Sequence, residues 1–170
     1  MDSSHPLNSA RRLLAVTWGF LCAMILAAPI LSSHSCCATA SVLYLSFSFI
    51  CHQIPERSFI ISGHSLAVCH RCFGIYLGLF LGSLIKNRII HRSQQARRLC
   101  VLIAIIPMLL DALLPFIGLW SSTGISRFFT GLLFGSLISY LLVCGVAEFL
   151  NEAPWRRFIV DDSHLKEGIS

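Results

Sequence analysis

Charge is the first thing this sequence lacks. Only 12% of its 170 residues are Asp, Glu, Lys or Arg, roughly half the share found in soluble globular domains. By contrast 55% are hydrophobic and mean hydropathy is +0.75. That scarcity excludes a disordered chain and argues against a soluble enzyme domain. Also missing are a phosphate-cradling glycine loop, a nucleophile elbow and a catalytic-triad signature. Acidic residues number eight against thirteen basic ones, a formal charge of +5, yet this balance does not mark a nucleic-acid partner. The basic residues fall in short clusters between apolar runs, the distribution of a membrane protein with a positive-inside bias.

What is present are apolar stretches of bilayer length. A hydrocarbon core of about 30 Å takes about 20 residues of helix. Residues 13–31 carry no charge and follow Arg11 and Arg12. The run is longer than the apolar region of a secretory signal and no small-x-small cleavage site directly follows it, so it reads as an uncleaved span. Residues 66–85, 99–120 and 128–150 read as three further spans. Residues 38–50 are too few to cross and read as a short re-entrant or interfacial helix; residues 151–170 read as a polar cytoplasmic tail. The expected fold is all-α, one membrane domain over residues 1–170. It is an integral membrane helical bundle of four full transmembrane helices plus the short one, with the lipid bilayer as partner.

Orientation follows from the Lys and Arg residues. Four crossings with a cytoplasmic N-terminus place ten inside and three outside, namely Arg57, Arg71 and Arg127. If residues 38–50 also cross, the split becomes eight to five with an external N-terminus, or five to eight with an internal one. The positive-inside rule favours the first arrangement. It describes a multi-pass cell-membrane protein with both termini cytoplasmic. In both better arrangements the cysteine-rich stretch faces outward.

Cys22, Cys100 and Cys144 lie in apolar runs and read as small buried hydrophobes. Cys36, Cys37, Cys51, Cys69 and Cys72 crowd one stretch. Its core reads Cys51-His52-Gln53-Ile54-Pro55-Glu56-Arg57-Ser58-Phe59, then His64, then Cys69-His70-Arg71-Cys72-Phe73-Gly74-Ile75-Tyr76-Leu77-Gly78. Such groups beside apolar sequence are unfavourable unless paired or ligated. The pattern resembles a family of small bacterial and archaeal polytopic membrane proteins known as a domain of unknown function. The hallmark of that family is a Cys-His-Gln-x-Pro-x-Arg-Ser-Phe element followed by Cys-x-Arg-Cys-x-Gly-Ile-Tyr. The resemblance extends to Asp111 and to Arg127-Phe128-Phe129-Thr130-Gly131. It implies a polytopic membrane protein and no particular activity, so whether the chain is an enzyme stays open.

Three readings of the cluster stand side by side. In the first, Cys51, Cys69 and Cys72 join one of His52, His64 or His70 in a Cys₃His metal site, suited to zinc and next to copper. Adjacent Cys51 and His52 cannot easily both ligate one ion, so His64 or His70 are the natural substitutes. In the second, Cys69 and Cys72 sit at the outward N-terminal end of a helix, where the macrodipole and Arg71 favour the thiolate. With Cys51 as a partner they would cycle as a membrane thiol–disulfide oxidoreductase, with a quinone as cofactor; only architecture supports that analogy. In the third, a static disulfide such as Cys51–Cys69 or Cys51–Cys72 holds the loop of a non-enzymatic accessory protein.

Helical spacing adds two expectations. Gly74, Gly78 and Gly82 share a stripe, as do Gly131, Gly135 and Ser139, and such stripes let two helix backbones approach closely in lipid. Asp111 lies within an apolar run between Pro107 and Pro115. An ionised carboxylate there should be protonated or paired, with Arg127 or Arg71 as the candidates. Arg57, after Pro55, either closes the loop surface or contacts an anionic group.

Overall fold

The computed structural model describes residues 4–34, 37–85, 94–118 and 122–152. They form five helices: α1 (Ser4–Ser33), α2 (Cys37–Ser48), α3 (His70–Leu84), α4 (Gln94–Leu113) and α5 (Gly124–Glu152). Two of these, over Leu7–Ser33 and Gly124–Phe149, are long and apolar enough to cross a membrane. The outer faces of α1, α4 and α5 stay apolar. Val16, Phe20, Leu102, Ile106, Phe129 and Phe149 are all exposed, a surface that suits hydrocarbon and not water.

The centre of the bundle is the contact between α3 and α5. At Gly74 and Gly78 an added methyl group would collide with the carbonyl oxygens of Phe128 and Leu132; at Gly131 and Gly135 it would collide with those of Arg71 and Ile75. The two stripes expected from the sequence therefore face each other. The correspondence rises in step along both chains, Gly74 with Phe128 and Gly82 with Ser136, so the helices run parallel. Between them the buried Ser139 donates its hydroxyl to the Leu79 carbonyl at 2.9 Å. Helix α1 runs the other way along α3. Its Arg11 donates to the last carbonyls of α3, Ser83 at 3.2 Å and Leu84 at 2.5 Å, where a cation meets the negative end of the helix dipole.

The third apolar run departs from expectation. Helix α3 begins at His70, not at residue 66, and its 15 residues extend only about 22 Å. A β-hairpin precedes it, β1 (Ile60–Ile61) paired antiparallel with β2 (His64–Ser65). The loop between them is Ser62-Gly63, both at positive φ of 52° and 80°, the conformation of a type I′ turn. Leu66 extends the pairing by donating its N–H to the Phe59 carbonyl at 2.8 Å. Leu66, Ala67 and Val68 then bury themselves beside Ile25 and Ala28 of α1 and Phe47 of α2. These residues are apolar because they plug a core, and hydropathy alone does not separate a plug from a span.

The remaining boundaries shift less. Helix α2 matches the expected short helix, and Tyr44 ties it to the hairpin by donating to the Ser65 carbonyl at 2.5 Å. Helix α4 ends at Leu113 and continues as a 3₁₀ turn over Leu114–Ile117, with Pro115 inside it. The expected span ran on to residue 120; residues 119–121 lie outside the described set. Helix α5 starts at Gly124, ahead of the expected residue 128, because the Thr123 hydroxyl accepts the Ser126 N–H at 3.2 Å as a cap. Asn151 and Glu152 complete α5, and the rest of the expected tail, 153–170, lies outside the described residues.

The α3–α5 contact gives a direct expectation. Gly78→Leu should destabilise the detergent-solubilised protein by about 2 kcal/mol or more, because rigid backbone, not a mobile side chain, blocks it. Gly145→Ala, with no neighbour within 4 Å, should be neutral or slightly stabilising. Thermal melts followed by circular dichroism check both.

Candidate functional site

Three sulfurs converge where the loop after α2 meets the start of α3. Cys51 closes the end of α2, its N–H donating to the Phe47 carbonyl at 2.9 Å, and is only 5% exposed. Cys69 is the residue before α3, and its N–H donates to Cys51 Sγ at 3.2 Å. Cys72 follows in the first turn of α3. All three Sγ atoms lie within 4.8 Å of one another. Cys69 lies outside the helix, and the hydrogen bonds its sulfur accepts from the Cys51 thiol and then from the Cys72 thiol hold it well below the ordinary thiol range. The described cysteines Cys22, Cys37, Cys51, Cys69, Cys72 and Cys144 are all free, so neither Cys51–Cys69 nor Cys51–Cys72 forms a bridge here. Cys36 and the Cys100 side chain lie outside the described set.

The structure does not bring the three candidate histidines into this group. His52 is exposed on the loop, and His64 is exposed on β2. His70 is engaged elsewhere: its Nδ1 lies 2.5 Å from the Arg57 carbonyl oxygen, and its ring meets the Phe59 edge at a centroid distance of 4.2 Å. The physical reason is local. Cys69 precedes α3 in extended backbone while His70 opens the helix, so the two side chains leave the chain in different directions. Among the described residues, no imidazole or carboxylate joins the three sulfurs within the same distance.

A charged wall stands beside the thiols. Arg71, from the first turn of α3, pairs with Asp111 of α4 at 2.6 Å. Asp111 is 7% exposed, and its other oxygen accepts the Ser126 hydroxyl of α5 at 2.7 Å. Of the two partners the sequence offered, Arg71 makes the pair. Arg127 instead donates its Nε to the Ser122 hydroxyl at 2.8 Å. Arg57, Arg71, Asp111, Ser122, Arg127 and the three cysteines line one cavity of about 610 Å³. Its chemistry combines soft sulfur donors, suited to a thiophilic cation or thiol exchange, with fixed guanidinium forks.

Sequence reasoning missed three residues that shape this site. Ser122 and Ser126 were the available signal, two hydroxyls at the polar entry to an apolar run, next to a buried carboxylate in need of donors. Gln53 occupies the left-handed region at φ 50° and donates its side-chain amide to the Tyr44 carbonyl at 2.6 Å. That contact turns the chain after Cys51, and no spacing rule announces it.

Residues 51–141 match the family described as predicted membrane protein DUF2085. The chain belongs to that family. The matched segment opens on Cys51 and contains all three converging cysteines, the three arginines and Asp111. An uncharacterized protein of Methanocaldococcus jannaschii is 43% identical over 103 residues, 59% of this chain. An uncharacterized protein of Methanothermobacter thermautotrophicus is 40% identical over 88 residues, 52% of this chain. The aligned segment spans 66% of the first relative, just under two thirds of its length, and 79% of the second. No solved structure matches the chain.

The ion pair of the site sets an expectation of its own. Asp111→Asn leaves a guanidinium in a low-dielectric wall without its counter-charge. Losing one partner of a buried pair costs about 3–5 kcal/mol. Arg71 is 24% exposed on its side chain, so a loss of about 2 kcal/mol is expected after discounting for solvent. Adding Arg71→Met to Asp111→Asn should recover most of it. Chemical unfolding of wild type, both single variants and the double variant in the same detergent measures the cycle.

Proposed function

We propose that this protein is a polytopic membrane protein whose outward-facing end carries a metal centre built from Cys51, Cys69 and Cys72, for zinc or copper. The observation that supports this reading is the approach of the three Sγ atoms to within 4.8 Å of one another. Ligands at about 2.3 Å from one tetrahedral ion lie about 3.8 Å apart, so a contraction of no more than about 1 Å per pair would close the set. One sulfur comes from a loop and two from a helix start, an arrangement that random packing of buried thiols does not require. Three protein ligands is also the number in zinc sites that keep one position for water or substrate. A set of sulfurs without imidazole suits soft ions, copper(I) as well as zinc.

The topology proposed with it has four crossings, by α1, α3, α4 and α5, with both termini in the cytoplasm. Three features support it. The parallel course of α3 and α5 fits a return through α4, the C-terminal end of α4 meets the N-terminal end of α5 through Asp111 and Ser126, and the lysine and arginine balance favours this sense. The 15 residues of α3 are short for a full crossing; its packing between longer helices would shelter its ends from lipid.

A second reading rests on the hydrogen bonds that Cys69 sulfur accepts, since a thiolate at a helix entrance is the attacking group in thiol–disulfide exchange. Cys69 and Cys72 would form one disulfide, giving two electrons and two protons to a quinone. Elemental analysis with parallel thiol titration separates the two. The metal reading expects about one zinc or copper per chain, lost in Cys51→Ser, Cys69→Ser and Cys72→Ser and kept in His52→Ala, His64→Ala and His70→Ala. Metal-free protein with a Cys69–Cys72 bridge reducible by mild thiols would replace it by the redox reading.

A further inference from the structure

Three guanidinium groups reach the same cavity from places far apart in the sequence. Arg57 belongs to the 3₁₀ turn after α2, Arg71 to the first turn of α3, and Arg127 to the first turn of α5. One carboxylate, Asp111, stands among them, and it is already engaged by Arg71 and Ser126. The Arg71–Asp111 pair is the only ion pair among the described residues. Arg57 and Arg127 therefore make no ion pair among the described residues, although like charges held together repel one another. Arg71 Nε is in addition buried with no hydrogen-bond partner among the described residues, a condition that protein interiors rarely tolerate without a ligand or water.

The donors are also held in place. Ser122 fixes Arg127 through Nε, and Asp111 fixes Arg71 through Nη2. Planar forks that are anchored at one edge present their remaining N–H groups to an oxyanion with little entropy left to lose. The cavity, at about 610 Å³, falls within the range of small-molecule sites and greatly exceeds one inorganic anion. Its other walls include Ile50, Ile54, Ala112 and Pro115, apolar surface that an inorganic ion would leave bare.

We infer that Arg57, Arg71 and Arg127 form a binding site for a phosphate group carried on an apolar or uncharged body. This site uses side chains other than those of the metal centre, so the two can be tested apart. The phosphate can come from a soluble compound or from a lipid headgroup, because the cavity sits at one end of a lipid-facing bundle.

Two arms distinguish these sources. In one, the full-length protein in an uncharged detergent is dialysed to equilibrium against radiolabelled inorganic phosphate at constant ionic strength. In the other, it is incubated with micelles containing phosphatidylglycerol and its lipid adducts are counted by native mass spectrometry. Saturable phosphate binding, reduced about tenfold by Arg57→Gln and again by Arg127→Gln, supports the site with a soluble source. Adducts with phosphatidylglycerol alone, lost in the same variants, support it with a lipid source. Arg57 is exposed, so its variant tests binding without disturbing the core. Both arms are run on chelator-treated and on zinc-loaded protein, and loss of binding in the arginine variants under both conditions separates this result from the fate of the metal reading. Absence of saturable binding in both arms, or binding equal in wild type and the arginine variants, overturns the inference.

Discussion

Backbone-to-backbone contact between α3 and α5 is the constraint on which the rest of the structure depends. In lipid no hydrophobic effect presses apolar helices together, so close approach at small residues supplies the attraction. Gly74 and Gly78 on one helix and Gly131 and Gly135 on the other leave no space for a side chain, and that fixes register as well as distance. With register fixed, the first turns of both helices lie side by side. Arg71 and Arg127 thereby enter the same cavity, and Cys69 and Cys72 are held at its edge. The glycines have no chemistry of their own. They determine where the chemistry can occur.

The second layer is the manner in which polar groups are made tolerable at that end. Asp111 is neutralised by Arg71 and accepts a hydrogen bond from the Ser126 hydroxyl, linking α3, α4 and α5 through one carboxylate. The hairpin and the buried Leu66–Val68 plug carry Cys51 and Cys69 together against α1. Sulfur, guanidinium and carboxylate groups thus share a small volume, with α3 supplying both Arg71 and Cys72.

Much of this was legible in the residues, for identifiable reasons. The glycine stripes were readable because a four-residue repeat has one geometric meaning in lipid. The Asp111 pair was readable because a carboxylate within an apolar run must find a cation, although the choice of Arg71 over Arg127 needed the fold. The nearness of Cys51 to Cys69 and Cys72 followed from their crowding in one stretch. The histidines misled because adjacency in sequence is not adjacency in space: His70 follows Cys69 but faces Arg57 and Phe59. The hairpin and plug were hidden because Leu66–Val68 is as apolar as a true span, and its burial against α1 is a tertiary fact. Ser62-Gly63 was the one local sign of the turn.

The placement of Cys51 has a consequence for folding. It lies 18 residues before Cys69, with the 3₁₀ turn and the hairpin in between. Any occupant that grips both sulfurs cinches that segment into a closed loop and lowers the entropy the chain regains on unravelling. Because such an occupant would bind the folded form in preference to the unfolded one, its availability would add to the robustness of this end by mass action. An occupant of the sulfurs would thus tune the apex of the bundle, while the glycine-packed trunk beneath it would keep its shape regardless of supply.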